Sequence, residues 1–188
     1  MTSQCELALH SAANTRREVQ AMKLTDPQLE ILESEKRFIV CAAGRRFGKS
    51  FASIAYLAKH ARFPNRKCMY VAPTFSMCKQ IIWEDLKALL LEKKWIKKIN
   101  ESELTITLVN GSTIFLRSAD SPDRIRGIGV DACVIDEAAD IPRLNETWQA
   151  IIRPTLSDRE GHALIIGSPK GRNYFYDMWN SKEDDWQS

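Results

Sequence analysis

The chain has 188 residues, of which 44% are hydrophobic and 27% are charged, and its formal net charge is +3. This length predicts one domain with a substantial core, spanning 1–188. The apolar runs are far shorter than the ~20 residues of a membrane helix, and the N-terminus shows no signal-peptide core. We therefore expect a soluble protein that is not secreted and contacts no membrane. The small net charge does not by itself indicate a nucleic-acid partner.

The first elements are weakly defined. Residues 1–22 show no clear hydrophobic period and predict an N-terminal arm or a loose helix. The following stretch L-T-D-P-Q ends at Gln28, whose amide could pair with N6 and N7 of adenine and so favour ATP over GTP. The alternative is a helix that begins here, capped by Thr25 or Asp26, with the proline in its first turn.

The strongest motif follows the first buried strand. Residues 38–43 (F-I-V-C-A-A) are typical of a buried strand, and residues 49–61 predict the helix after it. Between them the P-loop (Walker A) pattern G-x-x-x-x-G-K-[ST] is matched except at its first position, where Ala43 replaces glycine. The residues that we expect to bind the nucleotide here are Gly44, Arg45, Arg46, Phe47, Gly48, Lys49 and Ser50.

The defined positions of this loop have physical roles. Successive backbone N–H groups and the N-terminus of the next helix would surround the β-phosphate. Gly48 supplies the conformational freedom that the loop needs. Lys49 would place its charge on the β- and γ-phosphates, and the Ser50 hydroxyl would bind Mg²⁺. The strand–loop–helix context argues against a chance match, so the sequence predicts an ATP site.

The next segments predict an α/β sheet with one antiparallel insertion. Residues 67–72 predict a buried strand, and residues 76–93 predict a long amphipathic helix. Residues 104–117 predict a β-hairpin around the dipeptide N-G, which is favoured in two-residue turns. The basic run 92–98 is interpreted as a solvated helix end, with DNA contact as the weaker alternative.

A pair of acidic residues follows another apolar strand. Residues 132–135 predict a strand that places Asp136 and Glu137 at its C-terminal edge, where the P-loop also lies. Asp136 would hold Mg²⁺, and Glu137 would orient and deprotonate the attacking water. Alone, such a pair could be a solvated strand end. Downstream of a P-loop it completes a Mg-ATP site (Walker B), and the glutamate indicates water as the acceptor.

One more apolar run, 163–166, ends in the motif G-S-P-K-G. The hydroxyl of Ser168 could sense the γ-phosphate and move with hydrolysis, whereas an ordinary turn is the alternative. Four buried strands with polar residues at their carboxyl ends predict an open α/β sheet with one binding edge.

The whole set of motifs resembles one family. The upstream glutamine, G-R-R-F-G-K-S, V-A-P-T at 71–74, R-G-x-G-x-D at 126–131, V-I-D-E-A-A and G-S-P-K-G occur in this order. They look like the ATPase domain of the large terminase subunits of tailed bacteriophages. The resemblance spans residues 24–179, and its most specific parts are the P-loop arginines and the R-G-x-G-x-D…D-E-A-A segment.

The resemblance implies a P-loop NTPase of the RecA-like, additional-strand, catalytic-glutamate type, with a mainly parallel sheet flanked by helices. It implies ATP and Mg²⁺ as cofactors and ATP hydrolysis that translocates double-stranded DNA into a procapsid. The implied partners are further copies of the chain in a ring (a pentamer), the portal protein and the small terminase subunit, in the host cell cytoplasm. A helicase-like or other DNA-dependent P-loop ATPase module is the alternative.

The resemblance also implies catalytic roles. Arg45 is expected to contact the γ-phosphate, and Ser168 to couple hydrolysis to movement. A further arginine is expected from a neighbouring subunit, and the candidates are Arg124 and Arg126. Arg126 is preferred because it belongs to the R-G-x-G-x-D stretch. The alternative is that such an arginine pairs with a nearby aspartate and only shapes its loop.

Members of this family continue into a nuclease domain with clustered acidic metal ligands. No such cluster is left in the sequence once Asp136 and Glu137 are assigned to ATP, because the acidic run 183–185 is more simply a solvated tail. We therefore expect an isolated motor domain without nuclease activity.

Overall fold

The computed structural model describes residues 24–188, so the predicted arm at 1–22 lies outside the described residues. Within the described residues, one eight-stranded sheet forms the centre, and helices cover both of its faces. Within 24–188, no helix combines the length and the apolar character needed to cross a membrane.

The sheet is mainly parallel. Its strands are β1 (Phe38–Ala42), β2 (Lys67–Ala72), β3 (Ile96–Asn100), β4 (Thr105–Leu108), β5 (Thr113–Ser118), β6 (Ala132–Ile135), β7 (His162–Gly167) and β8 (Trp186–Gln187). Their order is β3-β4-β5-β2-β6-β7-β1-β8. In this order, all neighbouring strands between β5 and β8 (β5-β2-β6-β7-β1-β8) pair in parallel. Strand β4 pairs antiparallel with both β3 and β5. The predicted α/β sheet with a hairpin insertion is confirmed.

Most helices are short. They are α1 (Asp26–Glu33), α2 (Lys49–Ala61), α3 (Phe75–Cys78), α4 (Glu84–Glu92), α5 (Leu144–Glu146), α6 (Arg153–Ser157) and α7 (Tyr174–Trp179). In the described part of the chain, two π-helical segments, Lys79–Trp83 and Thr147–Ile152, join α3 to α4 and α5 to α6. The helix predicted over 76–93 is therefore one helical stretch with a π-helical interruption.

The position of β7 decides which loops meet. β7 lies between β1 and β6 and pairs in parallel with both. The C-terminal ends of parallel neighbours lie at the same edge of a sheet. The segments that follow β1, β7 and β6 are therefore side by side, and β7 is the additional strand of the expected fold type.

Both faces of the sheet are buried, as the near-continuous apolar strands require. On β6, Val134 belongs to the core layer that contains α2 and α4. Its neighbours Cys133 and Ile135 belong to the opposite layer, which contains the segment Thr147–Ile152, α6 and α7. Side chains alternate between these layers, so a slip of one residue would exchange them, and burial on both sides fixes the register.

The interpretation of 92–98 as a solvated helix end is wrong for the second half of this run of residues. Helix α4 ends at Glu92, and the chain then enters β3, the edge strand beside β4. Ile96 and Ile99 pack against the core, whereas Lys97 and Lys98 are exposed. An edge strand with solvated lysines lacks the continuous apolar run that identifies the central strands, so the sequence did not predict it.

A buried carboxylate clamps the N-terminal edge of the sheet. Asp131 accepts hydrogen bonds from Lys67 N at 2.7 Å, Arg66 Nη1 at 2.6 Å and Arg159 Nη1 at 3.1 Å. Burial would by itself raise the pKa of Asp131, but these donors and the two guanidinium charges lower that pKa below its usual value. The clamp holds the starts of β2 and β6 together.

We expect Asp131→Asn to lower the free energy of unfolding by about 2 kcal/mol, because two guanidinium groups lose their counter-charge and a backbone donor loses a carboxylate. Urea unfolding at pH 7, followed by circular dichroism, measures the change. The matched control is Asp123→Asn, whose side chain is 95% exposed and whose effect should stay below about 0.5 kcal/mol. Equal effects of the two variants would contradict the clamp.

The pH dependence follows from the direction of the pKa shift. Because the pKa of Asp131 is lower in the folded state, its contribution to stability is present above the unfolded value of about 3.9 and is lost as the pH falls through the folded pKa. The stability difference between wild type and Asp131→Asn should thus be constant from about pH 7 to pH 5 and shrink below about pH 4.

Candidate active site

The P-loop connects β1 to α2 and has an open side. Gly48 is the N-cap of α2 in a left-handed conformation, φ 82° and ψ 37°, which glycine adopts without steric cost. Arg46 also has a positive φ of 70°. Gly44, Arg45 and Arg46 are exposed, and among the described residues a Cβ at Gly44 would meet no atom within 4 Å. Backbone groups of the loop are thus accessible to a ligand.

Gln28 supports this loop from the protein side. Its buried amide Nε2 donates to the carbonyl oxygens of Phe47 at 2.8 Å and Gly48 at 3.3 Å. Its Oε1 accepts from Thr25 N at 3.0 Å, which fixes the start of α1. Both ends of the amide are therefore bonded within the chain. The contact of Gln28 with adenine stays a prediction.

Lys49 joins the segments that follow three strands. Its Nζ donates to Ser168 Oγ at 2.6 Å and forms an ion pair with Glu137 Oε1 at 3.4 Å. The Lys49 side chain is only 11% exposed, so its charge is directed into this cluster. The structure thus brings together a predicted phosphate ligand, a predicted base and a predicted sensor.

Asp136 is buried next to the cluster. Its Oδ1 accepts from Glu137 N at 2.7 Å, and its Oδ2 accepts from Tyr70 Oη at 2.9 Å. Burial raises the pKa of Asp136 above its usual range, while these two hydrogen bonds and the charge of Lys49 act against the increase. A buried carboxylate of this kind favours a nearby cation, because a positive charge stabilises its ionised form.

Tyr70 contacts the candidate site through Asp136, and the sequence did not predict it. It lies on β2 and is fully buried, and burial, together with the adjacent Asp136, raises the pKa of its hydroxyl, which stays a donor. The one available signal was a hydroxyl in an otherwise apolar strand, because a buried tyrosine usually has a hydrogen-bond partner. The partner could not be identified without the pairing of β2 with β6.

The turn after β6 directs Glu137 toward Lys49. Glu137 has φ 46° and ψ 43°, a left-handed conformation that is uncommon for a residue with a long side chain. Gly167 at the end of β7 permits this turn, because a Cβ there would lie 3.0 Å from Ala138 N and 3.3 Å from Ala139 N. The predicted base is therefore held by backbone geometry and by close packing.

A second contact joins the same two segments. Lys170, two residues after Ser168, forms an ion pair with Asp140 in the turn that follows β6. The segments after β6 and β7 are thus connected both through Lys49 and through this surface pair.

The predicted trans-acting arginine lies outside the cluster. Arg126 Nε is 3.8 Å from Asp123 Oδ1, and Arg124 Nη1 is 3.9 Å from Glu103 Oε2. Both arginine side chains are more than half exposed, so these ion pairs stabilise the loop little. Arg126 also lines an open cleft of about 790 Å³ near the carboxyl ends of β2 and β5.

The donor set fits a magnesium nucleotide. Ser50, in the first turn of α2, and Asp136 offer a hydroxyl and a carboxylate, the hard oxygen ligands that Mg²⁺ prefers. The open loop at the N-terminus of the 13-residue helix α2 suits a phosphate group. Across residues 24–188, no three His, Cys, Asp or Glu side chains gather into a metal-binding group. The expected lack of nuclease activity stays a prediction.

Comparisons with known proteins agree with these features. A family model described as "Terminase large subunit, T4likevirus-type, N-terminal" matches residues 40–188. The large terminase subunit of Escherichia phage T5 is 33% identical over 168 residues, which cover 85% of this chain and 37% of that protein. The large subunit from Thermus phage G20c is 29% identical over 171 residues, or 81% of this chain and 35% of that protein. The chain therefore spans little more than a third of the length of these relatives.

Solved structures give the same answer for the fold. The ATPase domain of the large terminase from Thermus phage P74-26 superposes with a TM-score of 0.73 at 28% identity, covering 85% of this chain and 77% of that chain. The large terminase of bacteriophage HK97 shares the fold with a TM-score of 0.67 at 14% identity, covering 84% of this chain and 36% of that chain. With the P-loop, the acidic pair and the additional strand in the positions described above, the chain belongs to the terminase large-subunit family and matches its N-terminal, ATPase part.

Proposed function

We propose that the chain hydrolyses ATP to power the translocation of double-stranded viral DNA into a procapsid. The observation that carries the proposal is the contact of Lys49 with both Ser168 and Glu137, next to the buried carboxylate of Asp136. Residues suited to bind phosphate, to activate water and to hold a metal ion thus lie together at one edge of the sheet, which supports the proposal. Membership of the terminase family favours DNA packaging over a helicase-like module.

Nucleotide binding depends on the loop and on its charges. The backbone N–H groups of the loop 44–48 and the N-terminus of α2 would surround the phosphates. Lys49 would neutralise the β- and γ-phosphates, with the guanidinium of Arg45 on the exposed side of the loop as the further γ-phosphate ligand. Ser50 and Asp136 would hold Mg²⁺ through oxygen atoms.

Hydrolysis needs a base in a fixed position. Mg-ATP, when bound, supplies the γ-phosphoryl group and a cation that balances its charge. Glu137 would orient the attacking water by a hydrogen bond and take its proton. The left-handed backbone and the 3.4 Å contact with Lys49 support this role, because they hold the carboxylate beside the phosphate-binding loop.

Movement would begin at Ser168. Because Lys49 is its hydrogen-bond partner, any change in the contacts of Lys49 reaches the segment after β7 directly. The ion pair of Lys170 with Asp140 would carry the change to the turn after β6. The partners that we infer are double-stranded DNA, further copies of the chain in a pentameric ring, the portal protein and the small terminase subunit, in the host cell cytoplasm.

We expect Glu137→Gln to bind ATP within about threefold of wild type and to lose at least about a hundredfold in turnover, because an amide cannot accept the proton of water. Fluorescent-nucleotide titration and phosphate release measure the two properties. Lys49→Ala should lose both binding and turnover, since it removes the charge on the phosphates. Normal turnover by either variant would contradict the assignment of the site.

We propose that Arg126 acts on ATP bound to a neighbouring subunit. Arg126→Ala should bind ATP normally but lose about a thousandfold in the turnover of assembled rings, because a guanidinium stabilises the transition-state charge. The matched control is Arg124→Ala, which removes a similarly exposed arginine from the same loop and should retain most of the activity.

Mixed assemblies test the trans arrangement. An Arg126→Ala subunit retains the base, and a Glu137→Gln subunit retains the arginine, so mixing the two inactive variants should restore part of the turnover. Absence of rescue, or full activity of Arg126→Ala alone, would remove Arg126 from the mechanism.

We expect Gln28→Ala to weaken the binding of ATP and of GTP by similar factors of about ten. The reason is that the lost hydrogen bonds support the P-loop and do not contact the adenine or guanine ring. Parallel titrations with the two nucleotides measure the ratio. Gln80→Ala, at an exposed glutamine, is the control and should change neither affinity. A loss confined to ATP would instead support the predicted contact with adenine.

A further inference from the structure

A buried hydrogen bond joins the candidate metal ligand to a strand that carries none of the predicted site residues. Tyr70 on β2 lies in register with Val134 of β6, two residues before Asp136. Its hydroxyl donates to Asp136 Oδ2 at 2.9 Å. Tyr70 is 0% exposed and Asp136 is 1% exposed, so water does not substitute for either partner.

This bond completes the fixation of the carboxylate. The χ2 torsion of an aspartate has a broad energy minimum, so a carboxylate that is held at one oxygen can still turn. Glu137 N holds Oδ1 at 2.7 Å, and Tyr70 holds Oδ2. A carboxylate has about four acceptor positions, so two remain for a metal ion or its water after both bonds are made.

We propose that Tyr70 is a positioning residue whose hydroxyl sets the orientation of the Asp136 carboxylate for Mg²⁺ bound with a nucleotide. The inference rests on the proposed function, because it needs Asp136 to serve the metal ion. Hydrogen bonds to a charged acceptor are strong, and a buried one is strengthened further by the low local dielectric. Groups that orient a metal ligand in this way contribute to metal affinity without touching the ion.

Tyr70→Phe tests the role, since it keeps the ring and removes only the hydroxyl. The Mg²⁺ concentration that gives half-maximal binding of a fluorescent ADP should rise about tenfold, because Oδ2 is no longer held. Binding of the same ADP without Mg²⁺ should stay unchanged, which a general loss of structure would not allow.

The matched control is Tyr56→Phe, which removes a hydroxyl from another buried tyrosine, one whose ring packs on His60. This variant should leave the Mg²⁺ titration unchanged. Equal shifts in both variants, or no shift in Tyr70→Phe, would overturn the inference.

Asp136→Asn separates this inference from the proposed function. If Asp136→Asn leaves the Mg²⁺ titration unchanged, the metal assignment itself fails. If Asp136→Asn shifts the titration and Tyr70→Phe does not, only the role of Tyr70 fails. In the double variant the two effects should not add, because Tyr70 acts through Asp136.

A fluorinated tyrosine at position 70 retains the hydroxyl and gives a second measurement, which stays decisive if Tyr70→Phe does not fold. Its fluorine NMR resonance should shift when Mg²⁺ and ADP bind together, and not when ADP binds alone. A fluorine chemical shift that does not change when Mg²⁺ is added would overturn the inference.

Discussion

The contacts of the Lys49 ammonium group depend on the order of the strands. Its ammonium group contacts Ser168 at 2.6 Å and Glu137 at 3.4 Å because β7 lies between β1 and β6, so that three loops end at one point. If β7 did not lie between β1 and β6, the segments that carry these residues would not be neighbours. An anion that attracts Lys49 competes with a hydroxyl and with a carboxylate at once. A ligand that draws Lys49 away would therefore act directly on Glu137, the predicted base, and on the segment after β7.

Two buried aspartates flank β6, Asp131 before it and Asp136 after it, and their different surroundings give their carboxylates different properties. Asp131 is surrounded by two guanidinium groups and one backbone donor, and its pKa is lowered. Asp136 is buried with a tyrosine hydroxyl and one backbone donor, and its pKa is raised. The first carboxylate is neutralised by the chain and serves stability. The second is left with a need for positive charge, which is the property expected of a metal ligand.

The sequence predicted local features well and long-range ones poorly. Helix α2 and strands β2 and β6 have the predicted bounds, because hydrophobic periodicity and the P-loop pattern are local signals. Tyr70 could not be paired with Asp136, since only the strand order brings them together. The edge strand β3 was missed because solvated lysines hide its period. The trans role of Arg126 depends on a second subunit and stays a prediction.

The left-handed backbone at Glu137 would oppose stability to activity at one position, given the base role that we propose for this residue. Glycine or asparagine adopts this conformation readily, whereas glutamate bears a strain of about 1–3 kcal/mol there. Selection for thermal stability alone would replace this glutamate early, and the resulting protein would be more robust and inert. If Glu137 is the base that we propose, its retention would report selection for turnover, and libraries screened only for folding would lose this glutamate before they lost the fold.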